Sequence, residues 1–289
     1  MSPARLDWRR GASATFSSVD SEPPESPAIS LAAPPDVSVI VPAYNEEKRL
    51  PPTLSRIGEY LAARRFTSEI LVVDDGSRDQ TAQVVESWRG RIAGLRLVSN
   101  GANRGKGYSV RHGMLEAQGN IALFTDADLS APIEEADKLL AALDTYDVAI
   151  GSRALDRSVI DVHQSGRREF AGRSFNWAVR ALIGVPFADT QCGFKAFRRG
   201  RARILFEQQR IERFGFDPEL LYLARRHGLR VAEVPVRWAH DPATRVHVLG
   251  DGLRMVGDLA VIRWNSLIGR YPAHPDSTGT AHPPAASGN

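Results

Sequence analysis

The sequence predicts an α/β protein built on a doubly wound sheet, and three features carry that prediction. Short apolar runs alternate with amphipathic stretches from residue 37 onward, the runs have the length of strands, and each is followed by a polar cluster. Near-continuous Val, Ile and Leu suits strands covered by helices on both faces. Such runs fall at 37–41, 70–73, 95–98, 121–124 and 148–150. Between them, apolar residues at helical spacing predict helices over 52–65, 81–88, 106–118 and 133–143. Pro52 suits the first of these, because a first-turn residue has no intrahelical N–H bond to lose.

The second half is less regular. Helices are expected over 173–183 and 218–226 and strands over 194–197 and 231–236, which makes the whole sheet mixed. A last helix over 249–269 places Leu253, Val256, Leu259, Ala260, Arg263 and Leu267 near one stripe, widened by Trp264 and Ile268, with Arg254 and Asp258 elsewhere. A helix of this kind packs on the domain or lies on a lipid interface.

With 289 residues, 43% hydrophobic and 25% charged, the chain can bury one large core or two small ones. Ten of its 18 prolines lie in 1–36 and 271–289. Disordered tails are therefore expected at 1–36 and 272–289, around one folded domain at 37–271. No run inside the domain approaches the roughly 20 apolar residues of a membrane span. Arg5, Arg9 and Arg10 stand near the N-terminus without the apolar run of a signal peptide. The single cysteine, Cys192, excludes an internal disulfide and fits a reducing cytosol. Charge is uneven: residues 151–270 hold 21 Lys/Arg against 12 Asp/Glu, while the remainder is net acidic. The second half should attract an anion, and a phosphorylated substrate, an anionic lipid surface and nucleic acid each meet that condition.

Ligands of open α/β sheets bind at the carboxyl ends of the strands, so the polar clusters there form the candidate site. The most informative is Phe124-Thr125-Asp126-Ala127-Asp128-Leu129-Ser130, a buried strand running into two carboxylates one residue apart. Asp126 and Asp128 offer hard oxygen donors for a Mg²⁺ or Mn²⁺ that grips a diphosphate and neutralises a nucleotide leaving group. Glu46 and Asp74 can accept hydrogen bonds from a base or ribose, with Pro42 and Tyr44 as a wall against a flat ring. Asp74-Asp75-Gly76-Ser77 also suits an ordinary turn and helix cap. Lys106, flanked by glycines at the start of a helix, can meet a phosphate by charge and through nearby N–H groups. The loop is not a Walker A loop, because three residues rather than four separate Gly101 from Gly105, and Gly107 follows the lysine. The seven histidines show no zinc spacing, and His240 and His247 are expected in a surface loop.

Six motifs occur in order: Val-Ile-Val-Pro-Ala-Tyr-Asn-Glu-Glu (39–47), Val-Val-Asp-Asp-Gly-Ser (72–77), Asn-Arg-Gly-Lys-Gly (103–107), Thr-Asp-Ala-Asp-Leu-Ser-Ala-Pro (125–132), Gly-Ser-Arg (151–153) and Asp-Thr-Gln-Cys-Gly-Phe-Lys (189–195). Together they resemble an inverting family-2 glycosyltransferase, and within it the dolichyl-phosphate β-glucosyltransferase branch, related to dolichyl-phosphate mannose synthase. The resemblance implies a GT-A (Rossmann-like) fold, a nucleotide-sugar donor such as UDP-glucose, a polyprenyl-phosphate acceptor in a membrane, and Mg²⁺ or Mn²⁺. It implies donor contacts at Pro42, Tyr44, Glu46, Asp74, Asp75, Lys106 and Asp126, and metal binding by Asp126 and Asp128. The acceptor phosphate falls to Arg153, Arg173, Lys195, Arg237 and Arg245, while Asp128, Asp189, Gln191 and Asp217 are placed near the chemistry. No nucleic-acid partner is implied. The location implied is the cytoplasmic face of a membrane, held peripherally through 249–269.

Two departures from the family pattern matter. Residues 1–36 are polar where eukaryotic members of the branch usually carry an anchor. The Glu-Asp pair that relatives use as a base on hydroxyl acceptors is replaced by Gly215-Phe216-Asp217-Pro218-Glu219, in which Asp217 alone can stand in. A phosphate acceptor, ionised near neutral pH, needs cations more than a base. Other readings of the same residues are a family-2 enzyme acting on a hydroxyl, a GDP-mannose-dependent mannosyltransferase, a nucleotidyltransferase and a nucleotide-sugar sensor.

Overall fold

The computed structural model describes residues 33–155, 160–162, 166–239 and 248–272, with side chains described for 33–155, 175–239 and 254–272. The expected tails lie almost wholly outside these residues, as do Arg245, His240, His247 and the side chain of Arg173.

The first half alternates as expected: β1 (Val37–Ala43), α1 (Leu50–Ala62), β2 (Ser68–Asp74), α2 (Thr81–Trp88), β3 (Leu95–Ser99), α3 (Lys106–Glu116), β4 (Ile121–Thr125), α4 (Ala136–Ala142) and β5 (Val148–Ser152). A short 3₁₀ turn, Ile133–Glu135, leads into α4. The second half adds β6 (Ile160–Val162), α5 (Gly166–Ile183), β7 (Phe194–Arg198), α6 (Arg199–Gln208), α7 (Phe216–Arg226), β8 (Val231–Pro235), β9 (Trp238–Ala239) and α8 (Val248–Leu267). Three elements were not expected. In α6 four of ten residues are arginine or glutamate on the outside, masking the buried stripe of Ala202, Leu205 and Phe206. β6 and β9 pair in a separate two-stranded ribbon too short to show a period.

Seven strands make one sheet in the order β3-β2-β1-β4-β7-β5-β8. All neighbours are parallel except β7, which runs antiparallel between β4 and β5. That reversal positions the site. Because Thr125 lies opposite Phe194, the loop entering β7 arrives beside the acids that leave β4. β5 ends at the same edge and delivers Arg153 there.

Alternation along each strand sorts the core into two layers. Leu71 and Val73 of β2 join Ile40, Phe124, Phe197 and Phe216 on one face, under α3, α6 and α7. Ile70 and Val72 join Val39, Leu54, Ile57 and Leu139 on the other, under α1 and α4. Each fully buried aliphatic or aromatic side chain contributes roughly 1.5–3 kcal/mol, which fixes strand register against a one-residue slip. No helix among the described residues is long and apolar enough to cross a membrane.

Candidate active site

A cleft of about 800 Å³ opens over the carboxyl ends of β1, β2 and β4, a volume suited to a small ligand. Pro42, Tyr44 and Glu46 line it from the end of β1, Asp75 from β2, Lys106 from α3, and Asp126 and Asp128 from β4. Asn45 takes a left-handed backbone (φ 55°), and the turn is tied to the loop after β2 and the start of α2 by Asn45 N–H donating to Ser77 Oγ at 2.9 Å and Glu46 N–H to Thr81 Oγ1 at 2.8 Å.

The adjacent acids at the end of β2 divide. Asp74 does not line the cleft: its Oδ1 accepts the Ser77 N–H at 3.1 Å and caps the turn. Asp75 does line it, and its carboxylate gathers the loop before α3. It accepts N–H groups from Arg104 at 2.9 Å and Gly105 at 2.8 Å, and the Asn100 amide at 2.8 Å. Gly105 has φ 109°, and a Cβ there would strike the Glu212 carbonyl. Gly107 packs as tightly against the Ile211 and Arg213 carbonyls. The backbone carrying Lys106 is thereby fixed from both sides.

At the centre, Lys106 Nζ lies 2.5 Å from Asp126 Oδ1. Burial opposes the ammonium, but the carboxylates of Asp126, Asp217 and Asp128 outweigh it and hold Lys106 above its ordinary range. Asp128 is pushed up, by burial first and by the Asp126 charge second, although Ser130 N–H donates to its Oδ1 at 2.9 Å. Leu129 sits at φ 47°, strained for a side chain with a Cβ. This turn brings the Leu129 N–H back onto the Asp126 carbonyl, 3.1 Å away. The strained residue follows the two acids directly. The opposite side of Asp126 is closed by backbone, since a Cβ on Gly193 would collide with its carboxylate.

The remaining expected residues form a second group. Arg153 grips Asp189 through two bonds, Nε to Oδ2 at 2.6 Å and Nη2 to Oδ1 at 2.8 Å. Burial raises the Asp189 pKa, but Arg153 and the N–H groups of Arg153 and Gln191 reverse this and depress it to about 2. Gln191 donates its N–H to Asp189 at 3.1 Å, while its side-chain Nε2 is buried without a hydrogen-bond partner. Arg237 binds Glu135 at 2.6 Å and does not line the cleft.

Lys195 requires correction as an acceptor-phosphate contact. It is wholly buried in β7, with Nζ 2.5 Å from Asp217 Oδ1 and from the Cys192 carbonyl, over the Phe124 ring. Asp217 is turned into the core by the same bond and does not line the cleft, so it is not positioned as the stand-in base that the hydroxyl-acceptor reading would require. Glu219 is also structural: it accepts the N–H groups of Arg210 and Ile211 and the Tyr271 hydroxyl. Burial pushes the Cys192 thiol up to about 12, so it packs rather than reacts.

Several cleft residues were not anticipated. Arg49, Asn103, Arg213 and Phe214 line it, and Arg254, Met255, Asp258 and Val261 of α8 approach from above. The sequence signal was present in α8, where Arg254 and Asp258 stand off the apolar stripe. Asp258 packs against Gly215, joining α8 to the segment that braces Gly107.

A family model described as glycosyl transferase family 2 matches residues 38–203. A dolichyl-phosphate beta-glucosyltransferase of Trichomonas vaginalis is 39% identical over 226 residues, 74% of this chain and 69% of the relative. The Drosophila melanogaster protein of that name is 37% identical over 89% of this chain and 80% of its own length, and the human one 35% over 81% and 77%. Among solved structures, glucosyl-3-phosphoglycerate synthase from Mycobacterium tuberculosis, in complex with Mn²⁺, UDP and glucosyl-3-phosphoglycerate, superposes with a TM-score of 0.56 at 22% identity. The match covers 84% of this chain and 82% of that one, and establishes a shared GT-A fold.

Proposed function

The chain belongs to glycosyltransferase family 2, and from that premise we propose that it transfers glucose from UDP-glucose to a polyprenyl (dolichyl) monophosphate with inversion at the anomeric carbon. The observation that carries this reading is the meeting of Asp126, Asp128 and Lys106 at the floor of a nucleotide-sized cleft.

Pro42 and Tyr44 flank the base, Glu46 and Asp75 lie within reach of base or ribose, and Lys106 serves the diphosphate. The donor set at 126 and 128 is two carboxylates, which fits a Mg²⁺ or Mn²⁺ bound jointly with phosphate oxygens. When bound there, such an ion stabilises the negative charge of the departing nucleoside diphosphate. The chain's own residues orient the rest. Arg153, held on Asp189 within range of the Asp126 charge, would help draw an acceptor phosphate, together with Arg49, Arg213 and Arg254, which line the cleft itself. A phosphate oxygen then attacks the anomeric carbon from the face opposite the leaving diphosphate. A hydroxyl acceptor would need a carboxylate base. Asp217 is bound to Lys195 and Asp189 to Arg153, so neither of these two expected carboxylates is free to act as that base.

A thermal-shift series of nucleotide sugars with Mn²⁺ tests the donor. UDP-glucose at 100 times its dissociation constant should add about 2.7 kcal/mol of stability. A larger shift with GDP-mannose would replace the assignment.

The membrane contact is assigned to the outer face of α8 with α5, on which Trp264, Leu267, Ile268, Trp177 and Leu182 are exposed beside Arg263 and Arg270. Indole rings with neighbouring cations suit the headgroup boundary of a bilayer. Co-sedimentation with anionic vesicles should fall severalfold in a Trp264→Ser/Leu267→Ser variant. Unchanged co-sedimentation would remove α8 from the contact.

A further inference from the structure

We infer that Lys106 is a resident counter-cation of Asp126 that competes with a divalent ion, so that the metal binds tightly only together with a diphosphate. The inference rests on the reading of Asp126 and Asp128 as metal ligands and concerns the order in which their partners arrive.

Four observations meet at this point. Lys106 Nζ is 2.5 Å from Asp126 Oδ1, so the carboxylate oxygen that faces the cleft already has a cation. The same carboxylate packs against Gly193 so closely that a Cβ there would collide with it. One oxygen of Asp128 accepts the Ser130 N–H. Among the described residues no group of three or more His, Cys, Asp or Glu side chains could hold a metal. A bare dication therefore meets two carboxylates, one of them neutralised, and an ammonium that repels it.

A diphosphate changes the balance in two ways. It supplies the oxygen ligands that the protein lacks, and it gives Lys106 a second anion to move to. The backbone of Lys106 is immobilised by Gly105 and Gly107, but its four-carbon stem is free to swing within the open cleft. Lys195 cannot substitute, because it is sealed against Asp217. Ion exchange of this kind couples two ligands, and the coupling acts equally on both: whatever UDP adds to the Mn²⁺ affinity, Mn²⁺ adds to the UDP affinity.

The test is direct Mn²⁺ binding, read from the free-ion electron paramagnetic resonance signal, on the full chain with and without UDP. For the wild-type protein, UDP should tighten Mn²⁺ binding at the upper end of ordinary coupling, about 100-fold. Lys106→Met should bind Mn²⁺ without nucleotide about tenfold more tightly than wild type, and its coupling to UDP should shrink by a similar factor. Lys106→Arg keeps the charge and should retain the weak nucleotide-free binding, which separates charge from lost packing. The inference is overturned if Lys106→Met binds Mn²⁺ without nucleotide no more tightly than wild type, or if Lys106→Arg gains as much as Lys106→Met. The nucleotide-free arm involves no donor, so a protein that shows these gains yet ignores UDP would overturn the donor assignment and leave the exchange standing.

Discussion

Two lysine–aspartate pairs stand a few residues apart in space, each with its ammonium 2.5 Å from a carboxylate oxygen. In the first, the side chains of Lys106 and Asp126 keep 22% and 34% of their exposure and open onto the cleft; in the second, Lys195 and Asp217 keep 0% and 4%. Equal distances conceal different energetics. Water and incoming ions can replace either partner of the first pair, so it is exchangeable. The second pair has lost its water, and each charge depends on the other and on the Cys192 carbonyl. The difference shows that burial, more than proximity, separates a working ion pair from a structural one.

The sharpest way to break this comparison is to remove one lysine at a time. Lys195→Met leaves Asp217 buried without its directly bonded cation, only the more distant Lys106 remaining, and should cost about 3–5 kcal/mol in urea unfolding. Adding Asp217→Leu should return most of that loss, because a well-packed apolar pair can replace a buried ion pair. Lys106→Met, by contrast, leaves a partly solvated carboxylate and should change stability by less than about 1 kcal/mol. Equal losses in the two single variants would erase the distinction.

A smaller effect comes from Arg153–Asp189, which lies between the extremes. Its carboxylate is buried, its arginine a quarter exposed. The folded pKa of Asp189, about 2, lies below the value of roughly 3.9 for an unfolded aspartate. The pair therefore stabilises the protein fully above about pH 4 and loses that contribution as pH falls toward 2, an amount on the order of 2–3 kcal/mol. Asp189→Asn should lower stability at neutral pH and flatten the acid limb between pH 4 and 2. An acid limb identical to wild type would show that Arg153 is not held by charge.

The sequence made the parallel half of the sheet legible because most of its strands are short apolar runs and α1 carries a clear stripe. The position of the acids at 126 and 128 was legible for the same reason, since a buried strand carries the residues that follow it to the carboxyl end of the sheet, where the cleft lies. The reversed direction of β7 could not be read, because strand polarity is decided by neighbours and leaves no local pattern. That reversal puts Lys195 between β4 and β5, and a lysine two residues after a glycine looks the same in sequence whether it faces a ligand or the core. Asp74 and Asp75 illustrate the same limit: one residue of offset at the end of β2 sends one acid to the turn and its neighbour to the cleft. α8 was read as a two-sided helix but has three faces, one in the core at Leu259 and Ile262, one on the cleft at Asp258 and Val261, and one outward at Trp264.

Transfer of labelled glucose from UDP-glucose to polyprenyl phosphate, measured with and without chelator and in the Asp126→Asn/Asp128→Asn variant, tests the central claim most directly. The account predicts an organic-extractable, mild-acid-labile product whose formation drops at least about 100-fold on chelation or in the variant, the scale of losing a group that stabilises developing charge. Label confined to the aqueous phase, or transfer at full rate without the metal or the two acids, would contradict it.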